Sequence, residues 1–323
     1  MIELFGTLGP SCADRQVLTA MFYNGMSGMR LNLSHAGLAA SKKLIDTFHA
    51  AAEDAGKDAV LLIDLQGPEL RIGSLEEPLQ LKENDLVDRS LLAFPANVTD
   101  VLEDEDEVLL DDGKIALKQI GTKMKVLRAG TLTSRKSIKI VNKTVPMPAL
   151  TETDRINLSA AAQYGVSAVM QPFVRNAEDI RIVRSALQEY GCEHIRIFSK
   201  IENREGLSRL SEIIDCSDMI VIARGDLGND VPLSELPAVQ KDIAAACRNR
   251  KVPFLVVTQM LTSMIQNPVP TRAEVSDIFN AVTDGASAVM VTNETAVGRY
   301  PAEVISVLHD TTAAAERWLQ RRP

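Results

Sequence analysis

The 323-residue sequence has few aromatic side chains, only four cysteines and no excess of basic residues. The cysteines form no CxxC pair and have no histidine at metal-binding spacing, so neither a disulfide scaffold nor a zinc site is expected. No apolar run approaches the roughly 20 residues that a bilayer span needs. A net charge of −8 argues against a nucleic-acid-binding surface. With no recognisable signal peptide, we expect a cytoplasmic protein that binds small molecules and neither nucleic acid nor a membrane.

What the sequence does contain is a regular alternation of short β-branched runs and longer helical stretches, which is typical of parallel strands covered by helices. The predicted fold class is therefore α/β. Eight runs are apolar enough to be buried on both faces, and this number favours a closed (β/α)8 TIM barrel over an open sheet. The predicted strands are Ile2–Thr7, Gly28–Leu33, Ala59–Asp64, Ser167–Gln171, His194–Lys200, Asp218–Ala223, Phe254–Thr258 and Ser287–Val291.

The interval between the third and fourth predicted strands has a different character. Short strand-like pieces such as Leu79–Leu81 surround an Asp-Asp-Gly turn signal at Asp111–Gly113. We predict that residues 68–145 form a small inserted lid domain, rich in β-structure and barrel-like, after the third strand. Residues 1–67 and 146–323 are predicted to form the catalytic TIM barrel.

Polar side chains gather at the carboxyl ends of several predicted strands, which is where the active sites of such barrels lie. Arg30, Asn32 and Ser34 alternate with leucines along the second strand and so share one face. Lys200 and Glu202 share a face in the same way at the end of the fifth strand. These positions are the first candidates for a functional site.

Glu202 and Asp226 predict a divalent-metal site, because neighbouring strands lie about 5 Å apart and two carboxylates at their ends can share one ion. Ligands that are all oxygen favour Mg²⁺ or Mn²⁺. Gly225, just before the second acid, lets the backbone approach a ligand closely. The alternative is structural: Glu202 pairs with Lys200, Asp226 caps a helix, and Arg30 pairs with a neighbouring acid.

The assembled barrel mouth would hold cations against acids. Asp64 ends the third strand, Arg71 follows it, and Thr258 ends the seventh strand. Such a mouth suits a phosphorylated carboxylic acid, because phosphoryl transfer needs cations around the phosphoryl oxygens, a metal ion and the exclusion of water.

Seven sequence blocks resemble those of the pyruvate kinase family, in the family's order and over nearly the whole chain. They are Thr7–Ser11, Met29–His35, Asp64–Arg71, Ile197–Asn203, Ala223–Gly228, Thr258–Leu261 and Pro270–Asp277. The resemblance implies a barrel with a mobile β domain after its third strand. It also implies a phosphotransferase that moves a phosphoryl group between phosphoenolpyruvate, or a related enol phosphate, and a nucleotide.

The resemblance assigns roles to the catalytic and metal-binding candidates. Glu202 and Asp226 match the ligands of Mg²⁺ or Mn²⁺, and Lys200 matches the lysine that bridges the transferring phosphoryl group and the enolate oxygen. Arg30 matches the phosphate-binding arginine. Thr258 matches the threonine near the carbon that gains or loses a proton.

Three further groups of contacts follow from the same resemblance. The substrate carboxylate is expected against the backbone of Arg224, Gly225 and Asp226. A potassium ion is expected between Asn32, Ser34, Asp64 and the carbonyl group of Leu65. The phosphates of ADP or ATP are expected near His35, Arg71 and Lys136.

The chain also departs from the family pattern. Leu65-Gln66 stands where the family has Thr-Lys, and Val297 replaces a lysine on the nucleotide side. The glycines and proline of the lid motif are missing from Lys136–Asn142, and the lid is shorter than usual. The sequence ends at Pro323, where the family continues, so no C-terminal regulatory domain is expected. These changes indicate an altered second substrate.

Two other functions are compatible with the sequence. A metal-dependent lyase or aldolase could act on pyruvate or another 2-keto acid without a nucleotide, since a metal alone can stabilise an enolate. A non-catalytic sensor or assembly partner is the third reading, and the retained charged residues argue against it. Homo-oligomeric assembly is compatible with the sequence, which does not determine the oligomeric state.

Overall fold

The strands of the chain fall into one large sheet and two small ones. The computed structural model describes residues 2–111, 113–141, 143 and 145–321, so Asp112 of the predicted turn and Asn142 of the lid motif lie outside it. In chain order the strands are β1 (Glu3–Thr7), β2 (Gly28–Asn32), β3 (Val60–Asp64), β4 (Leu79–Leu81), β5 (Leu86–Asp88), β6 (Glu107–Leu110), β7 (Ile115–Ile120), β8 (Lys123–Arg128), β9 (Gly130–Leu132), β10 (Ile138–Ile140), β11 (Ala168–Gln171), β12 (Arg196–Ile201), β13 (Met219–Ala223), β14 (Phe254–Val257) and β15 (Ala288–Met290).

The α-helices follow the strands in regular alternation outside the inserted segment. They are α1 (Arg15–Tyr23), α2 (Lys42–Asp54), α3 (Ala96–Thr99), α4 (Glu152–Ala160), α5 (Ala177–Glu189), α6 (Arg204–Ser208), α7 (Leu210–Cys216), α8 (Arg224–Asp230), α9 (Leu236–Arg250), α10 (Arg272–Thr283), α11 (Asn293–Ala296) and α12 (Pro301–Gln320). Within the described ranges, none of them is long and apolar enough to cross a membrane.

Eight parallel strands close into a barrel in the order β1, β15, β14, β13, β12, β11, β3, β2. The prediction of an α/β fold with a (β/α)8 TIM barrel is confirmed. All eight predicted strands are present, and their observed bounds differ from the predicted ones by a few residues at most. The register places Asn32 opposite Asp64, and Asp64 opposite Met170, at the carboxyl ends of β2, β3 and β11.

The barrel strands form because their side chains are buried on both faces. The inward side chains come from alternate positions and include Phe5, Leu62, Phe198 and Leu255, all fully buried. The rings of Phe5 and Phe198 meet edge to face, with centroids 6.4 Å apart. Burial of each such side chain stabilises the fold by about 1.5–3 kcal/mol.

The barrel helices pack an apolar stripe against the outer faces of the strands. In α5, Ile180, Val183 and Leu187 are buried and lie three and four residues apart, on one face of the helix. The helix begins after Asn176, whose side chain accepts a hydrogen bond from the backbone N–H of Asp179. Polar caps and apolar stripes together set where each helix begins and which face it buries.

The chain divides into two compact units. The first comprises Met1–Gly67 and Ala149–Pro323 and contains the barrel; the second comprises Pro68–Pro148. The second unit has a five-stranded antiparallel sheet in the order β10, β6, β7, β8, β5 and a two-stranded sheet of β4 and β9. It has its own apolar core, which includes Leu117 and Val126.

Candidate active site

The β2 and β3 strand ends carry the first ion pair of the site. Arg30 and Asp64 both point inward, and Arg30 Nε and Nη2 each lie 2.7 Å from Asp64 Oδ2. The pairing of Arg30 with a neighbouring acid is therefore present, as the structural reading of this residue expects. Asp64 Oδ1 is buried, and it has no hydrogen-bond partner among the described residues. One carboxylate oxygen thus stays available to a cation.

Lys200 continues the cluster on β12. Its Nζ atom lies 2.8 Å from Glu202 Oε1 and 3.6 Å from Asp64 Oδ2, so one ammonium group bridges two acids. Burial by itself lowers the pKa of Lys200, but the negative charges of Asp64 and Glu202 outweigh it and raise that pKa. Lys200 therefore stays protonated at physiological pH.

Glu202 follows directly after β12 and is buried. Its Oε2 atom accepts a 2.8 Å hydrogen bond from the backbone N–H of Phe173, which has a left-handed φ of 52°. The Oε1 atom is in short contact with Lys200 Nζ, but the angles of this contact are not those of a hydrogen bond. Among the described residues, Glu202 Oε1 therefore has no hydrogen-bond donor. Burial and the negative charge of Asp226 raise the pKa of Glu202, the Lys200 ammonium and the Phe173 N–H lower it, and the net result is a pKa of about 7. A second cation near Glu202 would offset the free-energy cost of burying its negative charge.

Asp226 lies in the first turn of α8 and is exposed. Its negative charge contributes to the raised pKa of Glu202. No group of three or more His, Cys, Asp or Glu side chains that could hold a metal occurs within the described ranges. Two carboxylates suit Mg²⁺, which commonly takes one or two carboxylates and completes its shell with water and substrate oxygens.

The side chain of Arg224 is held away from the cluster. Its Nε and Nη2 atoms donate to the carbonyl oxygen of Thr258 at 3.2 and 2.7 Å, and Nη1 donates to Asp277 Oδ1 at 2.8 Å. A side-chain carbon added at Gly225 would lie 3.1 Å from Thr258 Cγ2. The start of α8 therefore packs closely on the end of β14, and the backbone is the part of this turn that can face a ligand.

Thr258 directly follows β14 in a strained conformation, with a φ of 79°. A β-branched residue rarely adopts such a backbone, which costs of order 1–3 kcal/mol and is common at functional sites. The predicted strand Phe254–Thr258 ends one residue earlier in the structure because this backbone leaves the extended region.

We expect Thr258→Gly to raise the free energy of unfolding by about 1 kcal/mol, because glycine adopts a positive φ without strain. Turnover should fall by about 10²-fold if the hydroxyl positions the proton donor. Chemical denaturation and initial rates measure the two effects. Lys251→Gly, at a φ of 58° after α9, is the matched control and should stabilise without loss of turnover. A fully active Thr258→Gly protein would contradict this role.

The predicted potassium ligands lie on two adjacent strand ends. Asn32 is opposite Asp64 in the register, and the Asn32 Oδ1 atom accepts a hydrogen bond of 3.2 Å from the backbone N–H of Ser34. Ser34 and His35 occupy the exposed turn after β2. Leu65 follows β3 and donates its N–H to the Met170 carbonyl at 3.1 Å. The Asp64 Oδ1 atom, buried and without a hydrogen-bond partner among the described residues, is an acceptor that a monovalent cation would satisfy.

Arg71 and Lys136 belong to the second compact unit. There Arg71 forms a two-pronged ion pair with Glu69, at 2.9 and 2.7 Å, and donates to the Arg135 carbonyl at 2.8 Å. Lys136 pairs with Asp111 at 2.8 Å. Their part in nucleotide binding stays a prediction.

A cavity of about 570 Å³ borders Arg224 and Gly225 on the barrel unit. Its cationic side chains, Arg224 and Lys241, are already ion-paired, with Asp277 at 2.7 Å and Asp284 at 2.8 Å. Both of these cations are therefore already neutralised by carboxylates.

The sequence did not reveal two groups that shape the site. The Phe173 N–H, which holds Glu202, is a backbone donor, and only the preceding Pro172 hinted at an unusual turn. Asp277 holds Arg224 from 53 residues away along the chain. Such contacts depend on the closed barrel and leave no local pattern.

Fold and site together define a (β/α)8-barrel protein whose strand ends gather two buried carboxylates, an ammonium and a guanidinium group. A family model described as pyruvate kinase, barrel domain, matches residues 2–305. The chain belongs to the pyruvate kinase family, and the resemblance drawn from its motifs is confirmed.

Individual relatives agree with this assignment. The chain is similar to a pyruvate kinase of Aeropyrum pernix, with 37% identity over 100% of the chain and 72% of the relative. Pyruvate kinases of Geobacillus stearothermophilus and Hypocrea jecorina are each 35% identical; the alignments cover 98% and 96% of the chain. The chain spans only 57% and 62% of the length of these two relatives.

Proposed function

We propose that the chain is a phosphotransferase that moves a phosphoryl group between phosphoenolpyruvate, or a closely related enol phosphate, and ADP or ATP. The observation that carries the proposal is the position of Lys200 between two buried acids, each with a carboxylate oxygen that accepts no hydrogen bond. Asp64 Oδ1 has no partner among the described residues, and Glu202 Oε1 contacts the Lys200 ammonium at 2.8 Å without a hydrogen bond, so both oxygens can take a further cation. Family membership supports the same activity.

Glu202 and Asp226 would hold Mg²⁺ or Mn²⁺, and Asn32, Ser34, Asp64 and the Leu65 carbonyl would hold K⁺. When bound, the divalent ion supplies positive charge to phosphoryl and enolate oxygens. Five formal charges meet in the cluster, from Arg30, Lys200, Asp64, Glu202 and Asp226, and their sum is −1. Cations are therefore needed before an anionic substrate can bind.

The residues of the site have separate roles in the proposed transfer. The Lys200 ammonium stabilises negative charge on the transferring phosphoryl group and on the enol oxygen as the bond between them breaks. The Arg30 guanidinium orients the phosphate. The Thr258 hydroxyl positions the donor that delivers a proton to the enolate carbon. The backbone at Arg224, Gly225 and Asp226 receives the substrate carboxylate.

Transfer from phosphoenolpyruvate to ADP, followed as pyruvate formed with Mg²⁺ and K⁺ present, tests the proposal. We expect turnover that is lost when Mg²⁺ is omitted, and a calorimetric signal for ADP binding. The lyase or aldolase alternative has no support from the relatives cited above, which are named pyruvate kinases. It would be favoured if pyruvate bound normally while ADP and ATP gave neither turnover nor heat.

A further inference from the structure

Helix α4 presents two buried polar side chains to the ends of β2 and β3. Asp154 and Asn157 are 0% and 5% exposed. They lie three residues apart and therefore share one face of the helix. Neither belongs to the charged cluster, and neither is among the residues assigned to metal, substrate or nucleotide.

Asp154 accepts more hydrogen bonds than its role in the helix cap requires. Its Oδ2 atom accepts from the backbone N–H and the hydroxyl of Thr151, at 3.0 and 2.7 Å, which closes the capping box. Its Oδ1 atom accepts from the backbone N–H groups of Gln66 and Gly67, at 3.0 and 3.4 Å. One buried carboxylate thus joins the start of α4 to the segment that follows β3.

The same segment is held from a second side. Gly67 has a φ of 63°, and a side-chain carbon added there would lie 2.4 Å from the ring of Pro172. The peptide that follows Leu65 is therefore fixed between Asp154 and the turn after β11. This restricts where the Leu65 carbonyl can lie.

Asn157 holds the loop after β2 in a similar way. Its Oδ1 atom accepts a 2.9 Å hydrogen bond from the backbone N–H of Leu38, and its Nδ2 atom donates to the Thr153 carbonyl at 2.9 Å. Leu38 lies in the loop between β2 and α2, four residues after Ser34, where a second turn begins. One helix face therefore contacts both the loop after β2 and the segment after β3, which adjoin the predicted potassium ligands.

We propose that Asp154 and Asn157 are positioning residues for the monovalent-cation site at the ends of β2 and β3. The inference rests on the proposed function, which requires that site. The two residues act through backbone placement, since their side chains are committed to Gln66, Gly67 and Leu38. Removal of either contact loosens a loop that supplies cation ligands and leaves the charged cluster intact.

Asp154→Asn tests the first contact. An amide cannot accept with both of its polar atoms, so one pair of N–H or O–H donors loses its acceptor. We expect the K⁺ concentration for half-maximal activity to rise by about tenfold or more, the range for residues that orient metal ligands. Turnover at saturating K⁺ should be retained. Backbone amide exchange in residues 64–67 should become faster.

Glu274→Gln is the matched control, because Glu274 also closes a capping box and also accepts from a distant loop. It accepts from the N–H and hydroxyl of Thr271 and from the N–H and hydroxyl of Ser263. This variant should lose a comparable cap without any change in the K⁺ midpoint. Asn157→Ala is the second test variant and should raise the K⁺ midpoint even if Asp154→Asn fails to fold.

A readout without catalysis is the melting temperature in KCl against tetramethylammonium chloride at equal ionic strength. We expect K⁺ to stabilise the wild-type chain and to stabilise both α4 variants less at the same concentration. If phosphotransferase activity is absent, this shift and the exchange rates still decide the positioning role. A K⁺ midpoint unchanged in both variants, or a wild-type melting temperature that K⁺ does not raise, overturns the proposal.

Discussion

Lys200→Met lowers the rate of phosphoryl transfer by about 10³-fold or more, if the ammonium stabilises the charge that develops in the transition state. Methionine is also unbranched and is one heavy atom shorter than lysine, and it lacks the charge and the hydrogen-bond donors. The variant should still fold, because Glu202, with a pKa raised to about 7, can take up a proton when its partner is removed. Arg30 continues to pair with Asp64. The measurement is turnover with phosphoenolpyruvate and ADP at saturating Mg²⁺ and K⁺.

The distinguishing result is that divalent-metal binding persists in this variant. At pH 8, Mn²⁺ affinity measured by electron paramagnetic resonance should stay within about tenfold of wild type, since both carboxylate ligands are retained. Lys42→Met is the control: Lys42 is exposed on α2 and pairs with Asp46 at 2.6 Å. It should have wild-type turnover. Equal turnover in Lys200→Met would remove the proposed mechanism.

Glu202→Gln weakens divalent-metal binding by about 10²-fold or more, because it removes one of two carboxylates and leaves a neutral ligand. The glutamine carbonyl can still accept the Phe173 N–H, so the local backbone should be preserved. Activity should fall in parallel at a fixed Mg²⁺ concentration and recover partly at high Mg²⁺. Titration with Mn²⁺ gives the affinity directly.

The pH dependence of Mn²⁺ affinity distinguishes a metal ligand from a residue that does not bind the metal. Because the pKa of Glu202 is raised to about 7, chiefly by burial, protons compete with the metal below that pH. Wild-type Mn²⁺ affinity should therefore fall as the pH is lowered from 8 to 6, and Glu202→Gln should lose most of this dependence. Glu274→Gln should behave like wild type. Unchanged Mn²⁺ affinity in Glu202→Gln would show that the metal is held elsewhere.

The barrel could be predicted because the residue pattern that specifies each strand lies within a short stretch of sequence. Runs such as Phe254–Val257 are apolar on both faces, and only strands covered on both sides bury every residue of such a run. Period-two polarity then placed Lys200 and Glu202 on one face, as the structure has them. The end of β14 was predicted one residue too late, because the positive φ at Thr258 leaves no mark in the sequence.

The finer arrangement of the site depends on contacts between distant parts of the chain. Residue types and strand ends brought Arg30 and Asp64 together in the prediction, and the structure joins them at 2.7 Å. The backbone donor of Phe173 and the support that Asp154 gives to Gln66 could not be foreseen. Backbone donors carry no residue-specific signal, and a buried aspartate in a capping box is usually explained by the cap alone.

The edge-to-face contact between Phe5 and Phe198 limits the routes by which protons can reach the site. Phe198 lies two residues before Lys200 on the same inward face of β12, so the aromatic pair plugs the barrel axis beneath the ammonium group. Close-packed side chains leave few voids as large as a water molecule. If the proposed transfer takes place at these strand ends, the proton that reaches the enol carbon therefore comes from the carboxyl-terminal side of the barrel and not along its axis.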